Sequence, residues 1–401
     1  MAPPPSSLSP PSTSPPMPPT AGSTASLLAA TRATPEIKTQ DLQQAVDMYQ
    51  KATELAHHAT AFDDFVRAIE LFSLAIAMHA DQPRFFFGRG NAFRAVNELE
   101  CAANDYGHAI ALDDRTAAYF ANRGACFRKL NQPAKALEDL TAAIDMDSKK
   151  AAHYFNRALV LHDHGFFKEA TIDLTKTLEE GSAGIRVEYK ALQLRGNCFR
   201  KLGNLPKCID DLQRAIQLDG RNATGFASLA QAFLDAGELD DAIEHFGNAI
   251  QLHATHATYY ALRGLCFYRN ESHSQSARQC LADLNQSIKL DGKDPQAYFY
   301  RGSIRLALAL EGMQPPTLVV SPSDAASLSV EQQLEAAFAD TDMAWRLQPT
   351  TLKFQIGLAM ITQLTHQYER ASILFREIHA CDRANVVVKF HWALCCHSLG
   401  D

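Results

Sequence analysis

No stretch of the 401-residue chain runs about 18 apolar residues without interruption, so a membrane-spanning helix is not expected. Basic residues are not in excess either: 38 Lys and Arg stand against 45 Asp and Glu, a formal net charge of −7. That balance lacks the electrostatic footprint of a nucleic-acid binder, and there is no acidic tail. The nine cysteines have no framework spacing, which in a chain of this size reads as reduced intracellular thiols. The Asn-x-Ser/Thr triplets at Asn222, Asn270 and Asn285 then carry little weight as glycan sites. The opening Met1-Ala2-Pro3-Pro4-Pro5 has neither a basic start nor an apolar run, so no secretory leader is expected. Scarcity of acids as far as about Thr34 is transit-peptide-like, but the prolines would break the helix such a peptide needs.

Signatures of chemistry are missing as well. There is no phosphate loop, nucleophile elbow or HExxH, and no strand precedes Gly88 and Gly90 to make a dinucleotide turn. Cys395-Cys396 and His162-Asp163-His164 have no second cluster spaced to complete a four-coordinate metal site. Neither a metal nor another cofactor is therefore expected, and as given the chain does not read as an enzyme.

What is present is a period. Numbering a 34-residue unit from residues 49, 83, 117, 151, 189, 223, 257, 295 and 352, with a half unit at 386–401, aligns three columns of small residues. Position 8 is Gly or Ala throughout: Ala56, Gly90, Gly124, Ala158, Gly196, Ala230, Gly264, Gly302, Ala359 and Ala393. Position 20 is Ala or Cys, with Cys208 and Cys280 replacing Ala, and position 27 is mostly Ala. Small stations let two antiparallel helices approach closely. Phe93, Phe127, Leu161, Phe199, Phe233 and Phe267 at position 11 would fill the space between. Helix A is predicted over positions 1–14 and helix B over 17–31. Between them Asn97, Asn131, Gly165, Gly203 and Gly237 at position 15 are residues that tolerate a left-handed cap.

This pattern of small and large stations over about residues 49–401 resembles the tetratricopeptide repeat family. The resemblance implies an all-α, right-handed superhelical α-solenoid of tandem helix-turn-helix repeats. It also implies a concave groove lined by positions 2, 5, 6, 9 and 12 of each helix A. In repeats two to five those stations carry Arg84, Phe87, Asn91, Arg94, Asn122, Arg128, Asn156, Lys190, Asn197 and Arg200. Asn can pair with an extended backbone, and the cations would favour an acidic segment. From repeat seven onward the stations turn apolar, with Leu265, Tyr268, Phe299, Leu306, Ile356, Met360 and Phe390.

Position 7, usually Leu in the family, is Arg89, Arg123, Arg157, Arg195, Arg263 and Arg301 in six repeats. In those same six, position 23 is Asp105, Asp139, Asp173, Asp211, Asp283 and Asp340. The other three full repeats lack both: Leu55 with Leu71, Leu229 with His245, and Leu358 with Leu374. Joint presence and absence predicts structural ion pairs between helices A and B of one repeat.

The expected organisation is a Pro/Ser/Thr/Ala-rich disordered segment over 1–36 and the repeat array over 37–401. The former holds ten of the 18 prolines. Extra residues fall near 180–186 and 270–275, and an irregular insertion is expected over 311–333 within repeat eight. The last helix, Val386 onward, is apolar where a terminal repeat should be polar. That points to a longer array, a partner or a second copy. The function implied is a non-catalytic scaffold or adaptor that holds extended or helical, acidic peptide segments of other proteins. The oligomeric state is left open, and the compartment expected is the cytoplasm, with a ciliary scaffold compatible.

Two alternatives stand beside it. A co-chaperone clamp on acidic chaperone tails would use Asn91 and Asn122. Phe87, Ala152 and Asn156 stand where its cations belong, and in repeats five to seven, where Asn197 fits, Gln193, Ser228, Thr258 and Leu262 break it. A regulatory arm of a longer enzyme, as in the O-linked N-acetylglucosamine transferases, would show an asparagine ladder at position 6. Only Asn122 and Asn156 stand there.

Overall fold

The structure, a computed structural model, describes residues 35–180, 184–270, 276–312 and 329–400, and divides into two compact units, 1–147 and 148–401. Nineteen helices and no strand occur among the described residues. The first unit holds α1 (Pro35–His58), α2 (Phe62–Met78), α3 (Pro83–Ala95), α4 (Leu99–Leu112), α5 (Ala117–Lys129) and α6 (Pro133–Met146). The second begins with α7 (Ala151–Asp163), α8 (Phe167–Glu179), α9 (Ile185–Lys201), α10 (Leu205–Leu218), α11 (Ala223–Ala236) and α12 (Leu239–Leu252). It continues with α13 (Ala257–Arg269), α14 (Ser276–Leu290), α15 (Pro295–Gly312), α16 (Val330–Leu347), α17 (Leu352–Leu364), α18 (Tyr368–Cys381) and α19 (Val386–Leu399).

Each unit is a run of α-solenoid: odd-numbered helices are the A helices, even-numbered ones the B helices, and each packs on the next. A helices of successive repeats also touch, α1 with α3 in the first unit and α9 through α19 in the second. A continuous A-helix face results within each.

The small columns meet each other. A Cβ placed on Gly90 would lie 2.9 Å from a Tyr106 ring carbon and 3.3 Å from the Ala102 carbonyl oxygen. On Gly124 it would lie 2.9 Å from Leu140 Cγ and 3.2 Å from the Ala136 carbonyl oxygen. Position 8 of helix A thus rests on the backbone at position 20 of helix B, with the position-24 side chain closing over it. That last column is Phe72, Tyr106, Leu140, Leu174, Leu212, Phe246, Leu284 and Phe375, all fully buried or nearly so. Only repeat eight departs, with Thr341.

The turns are set by backbone conformation. Asn97, Asn131, Gly165, Gly203 and Gly237 all have positive φ, as does His366 at the same station of repeat nine. Nothing lies within 4 Å of the place a Gly203 Cβ would take, so only conformational strain opposes a side chain there. Gly203→Ala is accordingly expected to lower stability by about 1–2 kcal/mol, with Gly203→Asn milder because Asn serves at 97 and 131. Denaturant midpoints of the two variants check this.

Two boundaries differ from expectation. Helix α1 begins at Pro35, inside the segment 1–36. Helices α15 and α16 reach Gly312 and start at Val330, so both ends of the 311–333 insertion are helical. Good helix formers such as Glu331, Gln332 and Gln333 extend α16, and the Ser329 hydroxyl caps it by accepting from the Gln332 N–H at 3.2 Å. The earlier part of the proline-rich segment, Pro315-Pro316, Ser321-Pro322 and residues 181–183 and 271–275 lie outside the described residues.

Candidate functional site

The six arginines and aspartates come together within their repeats. In each case Arg Nε and Nη2 donate to the two carboxylate oxygens as a fork, at 2.8 and 2.8 Å for Arg89–Asp105, Arg123–Asp139 and Arg157–Asp173. The forks of Arg195–Asp211 and Arg263–Asp283 are as short, and Arg301–Asp340 has 2.9 and 2.6 Å. All six aspartates are buried. Donating to the Asp105 carboxylate holds the Arg89 guanidinium more firmly protonated than usual, against the opposing pull of burial, and Asp139 and Asp283 do the same for Arg123 and Arg263.

The same arginines do a second thing that the alignment did not reveal. Their remaining Nη1 reaches position 25 of the preceding repeat, donating to Ser73 Oγ from Arg89 (3.1 Å), Thr175 Oγ1 from Arg195 (2.9 Å) and Asn285 Oδ1 from Arg301 (2.7 Å). Beneath Arg123 and Arg263 that station is Gly107 and Gly247, which make room. Every one of these guanidinium groups fixes register inside its hairpin, and those of Arg89, Arg195 and Arg301 also tie neighbouring repeats together. In repeat eight a second cation, Arg305 at position 11, also donates to Asp340, at 2.6 Å.

The polar residues expected in the groove divide between the units. In the first, Asn91 Oδ1 accepts from the Tyr106 hydroxyl at 2.8 Å and from Asn122 Nδ2 at 3.0 Å, joining two A helices. The Asn91 amide N–H groups and Asn122 Oδ1 find no partner among the described residues. Arg94 stands exposed beside Tyr106; burial pushes that phenol's pKa up, and the Arg94 charge pulls part of it back. Arg84 is exposed and its guanidinium lies 5.5 Å from the Tyr49 ring centre. Arg128 is half-buried.

Phe87 is half-buried. Its ring packs 5.8 Å from Tyr106 and 4.9 Å from Tyr119, because position 5 lies in the seam between neighbouring A helices. In the second unit Lys190 is exposed, and Asn156 and Asn197 are half-buried. Arg200 is half-buried, and its Nη1 pairs with Asp235 of α11 at 2.9 Å, so its charge is met within the protein.

The apolar stations assemble more fully. Tyr268, Phe299, Leu306, Ile356 and Met360 line one trough of about 600 Å³ among α13, α15, α16 and α17. Leu265 is not in it; at 6% exposure it belongs to the core around Leu229, Phe233 and Phe246. The trough has small residues along it, Ser303, Ala307, Gly357 and Thr341, between walls of large ones. Lys353 is the one charged residue lining it, with its ammonium 4.5 Å from the Phe299 ring centre and 4.8 Å from that of Tyr300. Burial, and then the Arg269 charge, lower its pKa.

Phe390, on α19, is 61% exposed beside Val386 and Val387 at 74% and 55%, while Val388 and Cys395 bury the opposite face. The six cysteines at position 10 or 20 are all buried. Burial pushes Cys198 and Cys208 up to about 11 and Cys266 up to about 12, making them poor nucleophiles. No group of three or more His, Cys, Asp or Glu is placed to hold a metal among the described residues, and no described helix is long and apolar enough to cross a membrane.

Known proteins resemble this chain through the same repeats. Family models described as tetratricopeptide repeat match residues 189–222 and, for a second model of that description, 126–185 and 228–284. Human serine/threonine-protein phosphatase 5 is 27% identical over 108 residues, 26% of this chain; the chain spans about a fifth (21%) of that relative. The C-terminal part of a repeat-containing protein from Cytophaga hutchinsonii superposes with a TM-score of 0.50 at 16% identity, covering 62% of this chain and 97% of that one. YrrB, titled a TPR protein with an unusual peptide-binding site, has a TM-score of 0.42 at 22% identity over 49% of this chain and 96% of its own. With its helix hairpins, small-residue columns and matched repeats, the chain belongs to the tetratricopeptide repeat superfamily. Such repeats mediate interactions between proteins.

Proposed function

We propose that the chain is a non-catalytic scaffold that holds peptide segments of partner proteins on its A-helix faces. The observation that carries this is the trough between α15 and α17. It is an apolar concavity of about 600 Å³, open at the surface and walled by partly exposed Leu306, Leu310, Ile356 and Met360. A concave apolar surface with few, placed polar groups is the usual form of a binding site. The Asn91, Asn122 and Arg94 cluster supports a second peptide contact in the first unit, since unpaired amide groups beside a cation suit an extended acidic segment.

A displayed library of random 20-residue peptides, panned on the full chain, tests the reading. Sequences retained by the wild type are expected to be lost on Met360→Glu, or on Arg94→Glu combined with Asn122→Ala. If neither change removes any retained sequence, the A-helix faces are not the binding surfaces and the proposal falls.

A further inference from the structure

We infer that the trough of the second unit takes an amphipathic α-helix of about three turns that carries a carboxylate toward Lys353. This rests on the scaffold reading above and adds the conformation and charge of the occupant. Polar satisfaction favours a helix over an extended segment. An extended segment lying in the trough would bring a peptide N–H and C=O into it at every residue. Partners are scarce there. The Ser303 hydroxyl donates to the Phe299 carbonyl at 2.9 Å and the Thr341 hydroxyl to the Ala337 carbonyl at 2.8 Å, and the remaining lining is mostly aliphatic or aromatic. A helix meets its own backbone groups internally and offers the trough only side chains.

The dimensions agree. Phe299, Ser303, Leu306 and Leu310 run along one wall at intervals of four, three and four residues, a length of about 16 Å at the helical rise. Leu352, Ile356 and Met360 face them from α17 at intervals of four. A third helix laid between two such ridges presents its own three-and-four spacing to both. The channel is low in its middle because the column residue that is Leu, Phe or Tyr in every other full repeat is Thr341 here, with Ser303, Ala307 and Gly357 beside it.

Charge selects further. Lys353 has no carboxylate within ion-pair distance among the described residues, and no carboxylate lines the trough. It lies against two rings, with Arg269 near enough to press on it. A carboxylate from the occupant would answer that charge where water is partly excluded.

The experiment uses the random 20-residue library, counter-selected with Met360→Glu, followed by synthesis of the Met360-dependent peptides. Those peptides are expected to show apolar residues at three-and-four spacing with an acid on one edge. A proline at the centre should weaken binding at least tenfold. Lys353→Glu should weaken it several-fold and be rescued when the peptide's acid is changed to Lys. Thr341→Leu serves as a second variant, since it restores the residue found at this column in four other repeats; it should keep helicity and thermal stability while losing the peptides. Met360-dependent peptides that tolerate the central proline would overturn the helical occupant and leave the scaffold reading standing. An absence of Met360-dependent peptides would overturn both for this trough.

Discussion

Arg195→Leu is expected to destabilise the second unit by about 3–5 kcal/mol, because it leaves the Asp211 carboxylate, 2% exposed, without its fork. Asp211→Leu should be comparably damaging, stranding a guanidinium whose side chain is 14% exposed. The two changes together should recover most of the loss. Replacing a buried ion pair by apolar residues of suitable shape is often close to neutral, whereas removing one partner is not. The protein itself contains apolar versions of these stations: Leu55 and Leu71 pack into one cluster, Leu358 and Leu374 occupy them in repeat nine, and Leu229 and His245 in repeat six, the His245 ring stacking on Phe233 at 5.4 Å. Thr175, which accepts from Arg195, still donates to the Thr171 carbonyl at 2.7 Å when the arginine is gone. Because repeat arrays unfold unit by unit, hydrogen exchange in α9 and α10 is the proper readout beside a denaturant curve. A double variant as unstable as the sum of the singles would mean that the two side chains do not depend on each other.

That pairing was legible in one unaligned sequence because presence and absence are themselves data when a unit recurs nine times. The small columns were legible for a related reason: a station that must admit a neighbouring backbone accepts only Gly, Ala or Cys, and so few letters stand out at any period. The turn residues at 97, 131, 165, 203 and 237 announced their positive φ through Asn and Gly.

Contacts between repeats were harder. Arg200 was read from its own station, but its partner Asp235 sits at position 13 of the next repeat, a station that carries Ala, Lys, Asp, Arg or Leu from one repeat to another. Phe87 carries the same type of side chain whether it walls a groove or fills a seam, and only the neighbouring Tyr106 and Tyr119 rings decide which. The trough depends on small residues at Ser303, Ala307, Thr341 and Gly357, spread over more than fifty residues of chain and an insertion. No local window contains that signal.

The column at position 24 is where the packing energy concentrates, and it escaped the sequence reading because Phe, Tyr and Leu share it with no common letter. Phe246→Ala is expected to cost roughly 3–5 kcal/mol, since the ring is fully buried in the cluster with Leu229, Phe233, Ala242 and Cys266 and its removal leaves a cavity. Phe246→Leu should cost less than about 1.5 kcal/mol, because the scaffold already seats Leu at the equivalent Leu140, Leu174, Leu212 and Leu284. The contrast separates two physical ideas. If the column is a generic apolar plug, both variants should follow volume, with Leu falling between Phe and Ala in proportion to the atoms removed. If each hairpin is tailored to its own occupant, Leu should approach the Ala loss, because the Phe-shaped space would not collapse around it. Chemical denaturation of the pair, with hydrogen exchange in α11 and α12, decides between them. The generic plug is the expected result, since Ala230 and Ala242 leave the same backbone contact beneath the ring that position 8 and position 20 make in the Leu-bearing hairpins.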